Sequence, residues 1–373
     1  MASTVLITLG RLPKAIDLVR GFASAGCRVL VAEPFSWHLC RPSRDVDRSF
    51  TVTAPAVSKD AYRRDLLDII TRERVDLVVP VSEEILHVTS LHSGLPKGVR
   101  LFAEPQAKLL ALHDKLNFIR VAGSFNLGVP ATAALGSAEA AAIAAAGDFV
   151  VKPLYSCSGK GVQILPRGSA LPAVDAPALV QRFLPGGVQS TFSLVHEGRV
   201  LTTAIYRGTV MSGTVSVCFE RVETPAISDW VREFVARTGH SGFISFDFVV
   251  DGSGQALAIE CNPRVTSGIH FVDSTALARA ILDPAAVAAV PQRSGSLFQQ
   301  FYPCLTEAQK ALFRRADRAR HLYYLRAARD VVWSARDPLP FLTMTFTSYQ
   351  ILALSIFRGL SLGEASTRDI EWY

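Results

Sequence analysis

Along residues 3–112 short β-branched runs alternate with stretches whose apolar positions recur at helical spacing. The runs fall at 4–9, 28–33, 50–53, 76–81 and 100–103, with helical patterns over 14–25 and 59–74 between them. This alternation predicts an open parallel sheet covered by helices. Gly10 after the first run and Glu33 after the second have the outline of a dinucleotide fold. The G-x-G-x-x-G fingerprint is absent, however, and a plain strand-to-helix turn is the simpler reading.

The pattern changes after Asp114. An Ala-rich stretch over 137–146 predicts a helix ended by Gly147, then a strand over 149–152 and a Gly-bearing loop over 155–161. Runs at 162–165, 178–184, 190–195, 200–206 and 209–219 predict a mostly antiparallel sheet. A helix over 228–238 leads to strands at 242–250 and 255–261, joined by Asp251, Gly252, Ser253 and Gly254. From Thr306 the chain is Arg-rich and helical as far as Arg336, and an uncharged run follows over 338–357. That run is about long enough to cross a bilayer, but it opens with two prolines and carries Thr343, Thr345, Thr347, Ser348, Gln350 and Ser355. A helix packed on the protein is the blander reading, with membrane contact as the minor alternative.

Composition narrows the class. With 373 residues, 49% of them apolar, the chain is long enough for two or three cores. A net charge of +6 suits anionic ligands but lacks the clustering of a nucleic-acid binder. Cys27, Cys40, Cys157, Cys218, Cys261 and Cys304 form no C-x-x-C pair, so neither a zinc site nor a disulfide framework is indicated, and reduced thiols in a cytoplasm fit best. Arg11, Lys14, Asp17 and Arg20 interrupt the first apolar segments, which argues against a secretory signal.

The last hairpin carries the most specific chemistry. If residues 252–255 form its loop, Asp251 faces Ala256, Asp247 falls opposite Glu260, and Asn262 shares their face. Two acids on a hairpin are ordinarily its solvated side. Here they make, with the amide, a set of hard oxygen ligands suited to Mg²⁺ bridging nucleotide phosphates, and the run Asn262-Pro263-Arg264 tips the balance.

At these residues the chain resembles the ATP-grasp superfamily, in the branch of biotin carboxylase, carbamoyl phosphate synthetase and the carboxylate-amine (carboxylate-thiol) ligases. The resemblance implies that Asp247, Glu260 and Asn262 hold magnesium and that Arg264 sits where the phosphoryl group transfers. It assigns Lys152 to phosphate contact and catalysis, with Ser158, Gly159, Lys160 and Gly161 in a mobile flap whose backbone N–H groups line the phosphates. This flap lacks Walker A spacing. Asp114-Lys115, then Gly128-Val129-Pro130, matches the family's opening element, with Lys115 reaching phosphate. Gln181, Arg182, Phe183 and Leu184 fall where the family reads adenine, and Gln189 where it holds ribose; glutamine replaces the usual glutamate at both ends.

The implied fold is α/β, α+β in its nucleotide-binding part. It has a Rossmann-like domain at 1–112, an ATP-grasp region at 113–290 with a flap subdomain near 130–184, and a helical extension at 291–373. The implied function is ligation: ATP and Mg²⁺ convert a substrate carboxylate to an acyl phosphate, which an amine then attacks. Arg207, Arg221, Ser267, Gly268 and His270 are candidates for substrate contact, His270 being more simply a structural histidine. A homodimer fits such a chain. The alternatives are a regulatory ATP-binding protein without ligation and a dinucleotide-dependent enzyme, the latter disfavoured by the missing fingerprint.

Overall fold

The computed structural model describes residues 2–156, 159–312, 315–360 and 362–372. Five strands open the chain: β1 (Thr4–Ile7), β2 (Arg28–Glu33), β3 (Arg48–Thr51), β4 (Leu77–Val79) and β5 (Arg100–Leu101). They pair in parallel in the order β3-β2-β1-β4-β5. The central strands β1, β2 and β4 are apolar on both faces because helices cover both, whereas the edge strands β3 and β5 are partly exposed. Ile7 and Val31 pack with Ile16, Val19 and Phe22 of helix Pro13–Ser24, whereas Leu6 and Leu30 pack with Leu66 and Ile70 of helix Lys59–Arg72. The edge strand β3 begins before its apolar run, since pairing with β2 needs only backbone and sets Arg48 against Leu30.

Four short strands form a second sheet: β6 (Thr132–Ala134), β7 (Phe149–Pro153), β8 (Gln163–Leu165) and β9 (Ala178–Arg182), in antiparallel order β6-β9-β7-β8. Helix Ala138–Ala146 covers it through Ala140 and Ala144; the Ser137 hydroxyl caps this helix by accepting from the Ala140 N–H at 3.1 Å.

The largest sheet contains β10 (Val188–His196), β11 (Arg199–Ser212), β12 (Val215–Arg221), β13 (Gly242–Val250), β14 (Ala256–Asn262), β15 (Leu297–Gln299) and β16 (Arg329–Asp330). Its order is β14-β13-β10-β11-β12-β15-β16. The apolar run 209–219 is not one strand. Gly213, at φ 61°, turns the chain inside it, and β11 runs unbroken through Arg207 and Gly208. One face of the sheet packs Phe246 and Phe248 against Trp230 and Phe234 of helix Pro225–Thr238, which starts three residues before its apolar pattern with Pro225 in its first turn. The other face packs Phe192 and Tyr206 against the core shared with helices Pro13–Ser24 and Ser274–Leu282.

The extension is helical over most of its length, as expected, and it also adds β15 and β16 to this sheet. The run over 338–357, expected as one helix, is broken into Leu339–Leu342, Met344–Thr347 and Tyr349–Arg358. The Thr343 hydroxyl donates to the Leu339 carbonyl and that of Thr347 to the Met344 carbonyl, the back-bonding that bends helices. Among the described residues no helix is long and apolar enough to cross a membrane. The last residues return to the first domain, where Arg11 grips the Asp369 carboxylate at 2.7 and 2.9 Å and the Trp372 ring lies 5.0 Å from that of His87.

Candidate active site

The hairpin of β13 and β14 sets Asp247 opposite Glu260 and Ser245 opposite Asn262, so Asp247, Glu260 and Asn262 share one face. The register is reached by an unexpected route. Near the turn Val250, not Asp251, pairs with Ala256, and Phe248 pairs with Ala258; a bulge at Ile259 then shifts the ladder by one residue. Without the bulge Glu260 would point into the aromatic core with Ala256 and Ala258. The extra residue also frees a carbonyl, and Lys152 Nζ donates to the Ile259 oxygen at 3.0 Å.

Both predicted lysines converge here. Lys152 on β7 is buried; its second acceptor is Gln181 Oε1 at 3.1 Å, and the Gln181 amide donates to Thr132 Oγ1 at 2.9 Å. Burial draws the Lys152 ammonium down to about 8, against the pull of Glu260. Asp114 and Lys115 straddle a junction between helices. Asp114 caps Lys115–Ser124 by accepting from the Asn117 N–H at 2.9 Å, which leaves buried Lys115 pointing back to Ser156 O at 2.9 Å and Glu260 Oε1 at 3.7 Å. Gly128 is required by close approach: its carbonyl accepts from the Ala258 N–H at 3.0 Å, and a Cβ would stand 2.4 Å from the Ala256 oxygen. In the flap, Gly159 and Gly161 lie at φ 72° and 73°, and exposed Lys160 pairs with Glu371 at 3.7 Å. Ser158 lies outside the described residues.

Arg264 is anchored by a residue the sequence reading did not single out. Its Nε donates to Glu83 Oε1 at 2.7 Å and its Nη2 to Asn262 Oδ1 at 3.1 Å. Burial would raise the Glu83 carboxyl, but Arg264, His113 and Lys14 prevail and hold it at about 2. Ser190 and Tyr206 are two further unforeseen members. The Ser190 hydroxyl donates to Asp247 Oδ1 at 2.5 Å, and Tyr206, directly opposite Ser190, is buried behind the same face. Burial and the neighbouring Glu260 push the Asp247 carboxyl up to about 6.

Other candidates lie elsewhere. Gln189, expected at the ribose, alternates with Ser190, so it sits on the opposite face from Asp247, where its Oε1 accepts from the Thr224 hydroxyl at 2.6 Å. Arg207 pairs with Gln189 across the strands and shares that far face, bonded to Glu220 at 2.9 Å. Gln181 faces Lys152 and Thr132 instead of an open pocket. The Arg182 and Phe183 N–H groups are taken by the Ala131 and Asp148 carbonyls, and Leu184 follows, half-buried, beyond the end of β9. Arg221 lies on the near face but donates to the Arg293 carbonyl at 2.8 Å. Ser267 and Gly268 begin the turn Ser267–Phe271, where a Cβ on Gly268 would meet Phe192 at 2.5 Å. His270 is structural: Nδ1 lies 2.5 Å from Asp17 Oδ2, and Arg293 donates to the other Asp17 oxygen at 2.6 Å.

Among the described residues no group of three His, Cys, Asp or Glu could hold a metal ion. The cluster offers two carboxylates and one amide, a set that fits Mg²⁺ only when phosphate oxygens and water complete the coordination.

Residues 112–268 match the family model for the ATP-grasp domain. No curated protein matches the sequence. Several solved structures share the fold. The biotin carboxylase domain of Hydrogenobacter thermophilus 2-oxoglutarate carboxylase, in complex with MgADP and bicarbonate, aligns at TM-score 0.61 and 14% identity over 76% of this chain and 70% of its own. A carboxyaminoimidazole synthetase from Staphylococcus aureus aligns at 0.61 and 13% over 80% and 82%. The L-amino acid ligase from Bacillus licheniformis aligns at 0.57 and 15% over 75% and 74%. Residues 112–268 thus carry a likeness to the ATP-grasp domain, and the two sheets that meet at Lys152 give the chain the fold of these structures.

Proposed function

We propose that this protein is an ADP-forming ligase that phosphorylates a substrate carboxylate and transfers the acyl group to an amine. The observation that carries the reading is the convergence of Lys115, Lys152, Asp247, Glu260, Asn262 and Arg264 on one face between the two antiparallel sheets. The relatives support it, since one is a complex with MgADP and another joins amino acids by name.

Phosphoryl transfer asks the protein for position and charge more than for covalent chemistry. Lys115 and Lys152 lie where they neutralise the triphosphate, and both would exchange protein acceptors for phosphate oxygens. Mg²⁺ on Asp247, Glu260 and Asn262 would supply further charge neutralisation at the terminal phosphates. The carboxylate attacks the γ-phosphorus in line and ADP leaves; the amine then attacks the acyl carbon and phosphate departs. Arg264, fixed by Glu83, faces the oxygens on which charge develops. The glycines of the flap allow it to close and keep water from the acyl phosphate.

Magnesium-dependent ADP release, measured across a panel of carboxylic acids with and without amines, tests this. Turnover should require both substrates, and Glu260→Ala should abolish it while the circular dichroism spectrum is kept. Nucleotide binding without turnover on any pair would favour a regulatory ATP-binding protein, and full activity in Glu260→Ala would remove the site.

A further inference from the structure

The apolar run left unexplained by the catalytic reading forms a continuous outer face. Leu342, Phe346, Tyr349, Ile356 and Phe357 are 50–87% exposed, and helix Tyr349–Arg358 contains no buried residue. Trp37 extends this face from the first domain: its ring lies 4.9 Å from that of Phe346, and its backbone N–H donates to Gln350 Oε1 at 3.2 Å. Trp333, 51% exposed, stands at the other end against Phe341.

Three of its hydroxyls are turned inward. The Thr343, Thr347 and Ser355 hydroxyls donate to the carbonyls of Leu339, Met344 and Leu360, so they need no water. No charged residue occurs over 338–357. The charges lie at the rim and are mostly of one sign. Arg41 stacks over Trp37 at 5.0 Å, Arg44 donates to the Arg336 carbonyl at 3.2 Å, and Arg358 ends helix Tyr349–Arg358; all four arginines are exposed. Of the nearby acids, Asp337 is buried against Arg20 and Ser43, and Asp45 is half-buried beside Arg44 and Arg336.

From this we infer that residues 338–358, with Trp37, are a docking face for an anionic lipid bilayer, lying in its interface without crossing it. Apolar side chains with satisfied hydroxyls suit the acyl boundary, tryptophan and tyrosine suit the headgroup level, and rim arginines suit lipid phosphates. A second copy on this face would set the arginine rims of two chains against each other across a twofold axis. The inference does not rest on the ligase reading.

Flotation of the full chain with phosphatidylcholine vesicles, with and without phosphatidylglycerol, tests it. Binding should appear on the anionic vesicles and weaken at least about tenfold in high salt. It should also shift tryptophan emission to shorter wavelength. The triple change Phe346→Ser, Ile356→Ser, Phe357→Ser and the double change Arg336→Ser, Arg358→Ser should each cut binding about tenfold or more while leaving ADP affinity unchanged. Absence of binding to anionic vesicles overturns the inference. So does sedimentation showing a dimer that the triple change dissociates, which would assign the face to a second copy.

Discussion

Replacing Glu83 and Arg264 by glutamine, singly and together, isolates the contact that fixes the guanidinium over the site. Glu83 is 2% exposed and bonds Arg264 Nε at 2.7 Å. A carboxyl held from 4.5 to about 2 gains about 3 kcal/mol in its ionised form, net of its burial. Removing one partner of a buried pair commonly costs about 3–5 kcal/mol because the other charge is stranded. Each single change should therefore destabilise by about 3 kcal/mol, and the double change by little more, giving a coupling of about 3 kcal/mol in urea unfolding at neutral pH. The sign with pH is fixed. A depressed carboxyl stabilises the fold fully above its unfolded value near 4.5 and loses that contribution as pH falls toward 2. The gap between the parent and Glu83→Gln should close over that interval. A coupling below about 0.5 kcal/mol would refute the reasoning, because the pair would then be no stronger than an exposed one.

Two further outcomes follow from other buried groups. Lys152→Met should weaken ADP binding by at least about tenfold in calorimetry yet change stability by no more than about 1 kcal/mol: relief of a buried charge worth about 3 kcal/mol is offset by two acceptors left unpaired at about 1 kcal/mol each. A large loss of stability with ADP affinity intact would make Lys152 structural. Burial would raise the Asp17 carboxyl, but Arg293 and His270 hold it below its ordinary value, so its contribution is complete above about pH 4 and fades in more acid solution. Asp17→Asn should lower the melting temperature near neutrality and flatten its decline below that point; an unchanged acid limb would contradict this.

The parallel sheet was legible because its central runs are apolar on both faces, and β2 and β13 match their apolar runs residue for residue. The acid pair was found through two one-residue errors that cancel. The turn is longer than the reading assumed, and the bulge at Ile259 restores the pairing of Asp247 with Glu260. A signal for the bulge exists: core positions Ala256, Ala258 and Cys261 break the two-residue period between the last two. Strict alternation from Asp247 and Ser190 would likewise have put Gln189 on the wrong face for a nucleotide. Glu83 was accessible to reasoning, since it follows β4 at the carboxyl end of a parallel sheet, where ligands bind. The return of Asp369 to Arg11 was not, because a contact 358 positions apart leaves no local periodicity.

The carbonyl released at Ile259 bears on how nucleotide enters. Lys152 already holds two neutral oxygens, from Ile259 and Gln181, so on the proposed function an arriving phosphate would replace them and would not meet a bare cation. Binding at this nitrogen is thus a ligand exchange, whose enthalpy is the difference between two sets of hydrogen bonds. The Ile259 oxygen also ties the hairpin of β13 and β14 to the sheet that carries Lys152, so a phosphate that displaced it would release that tie.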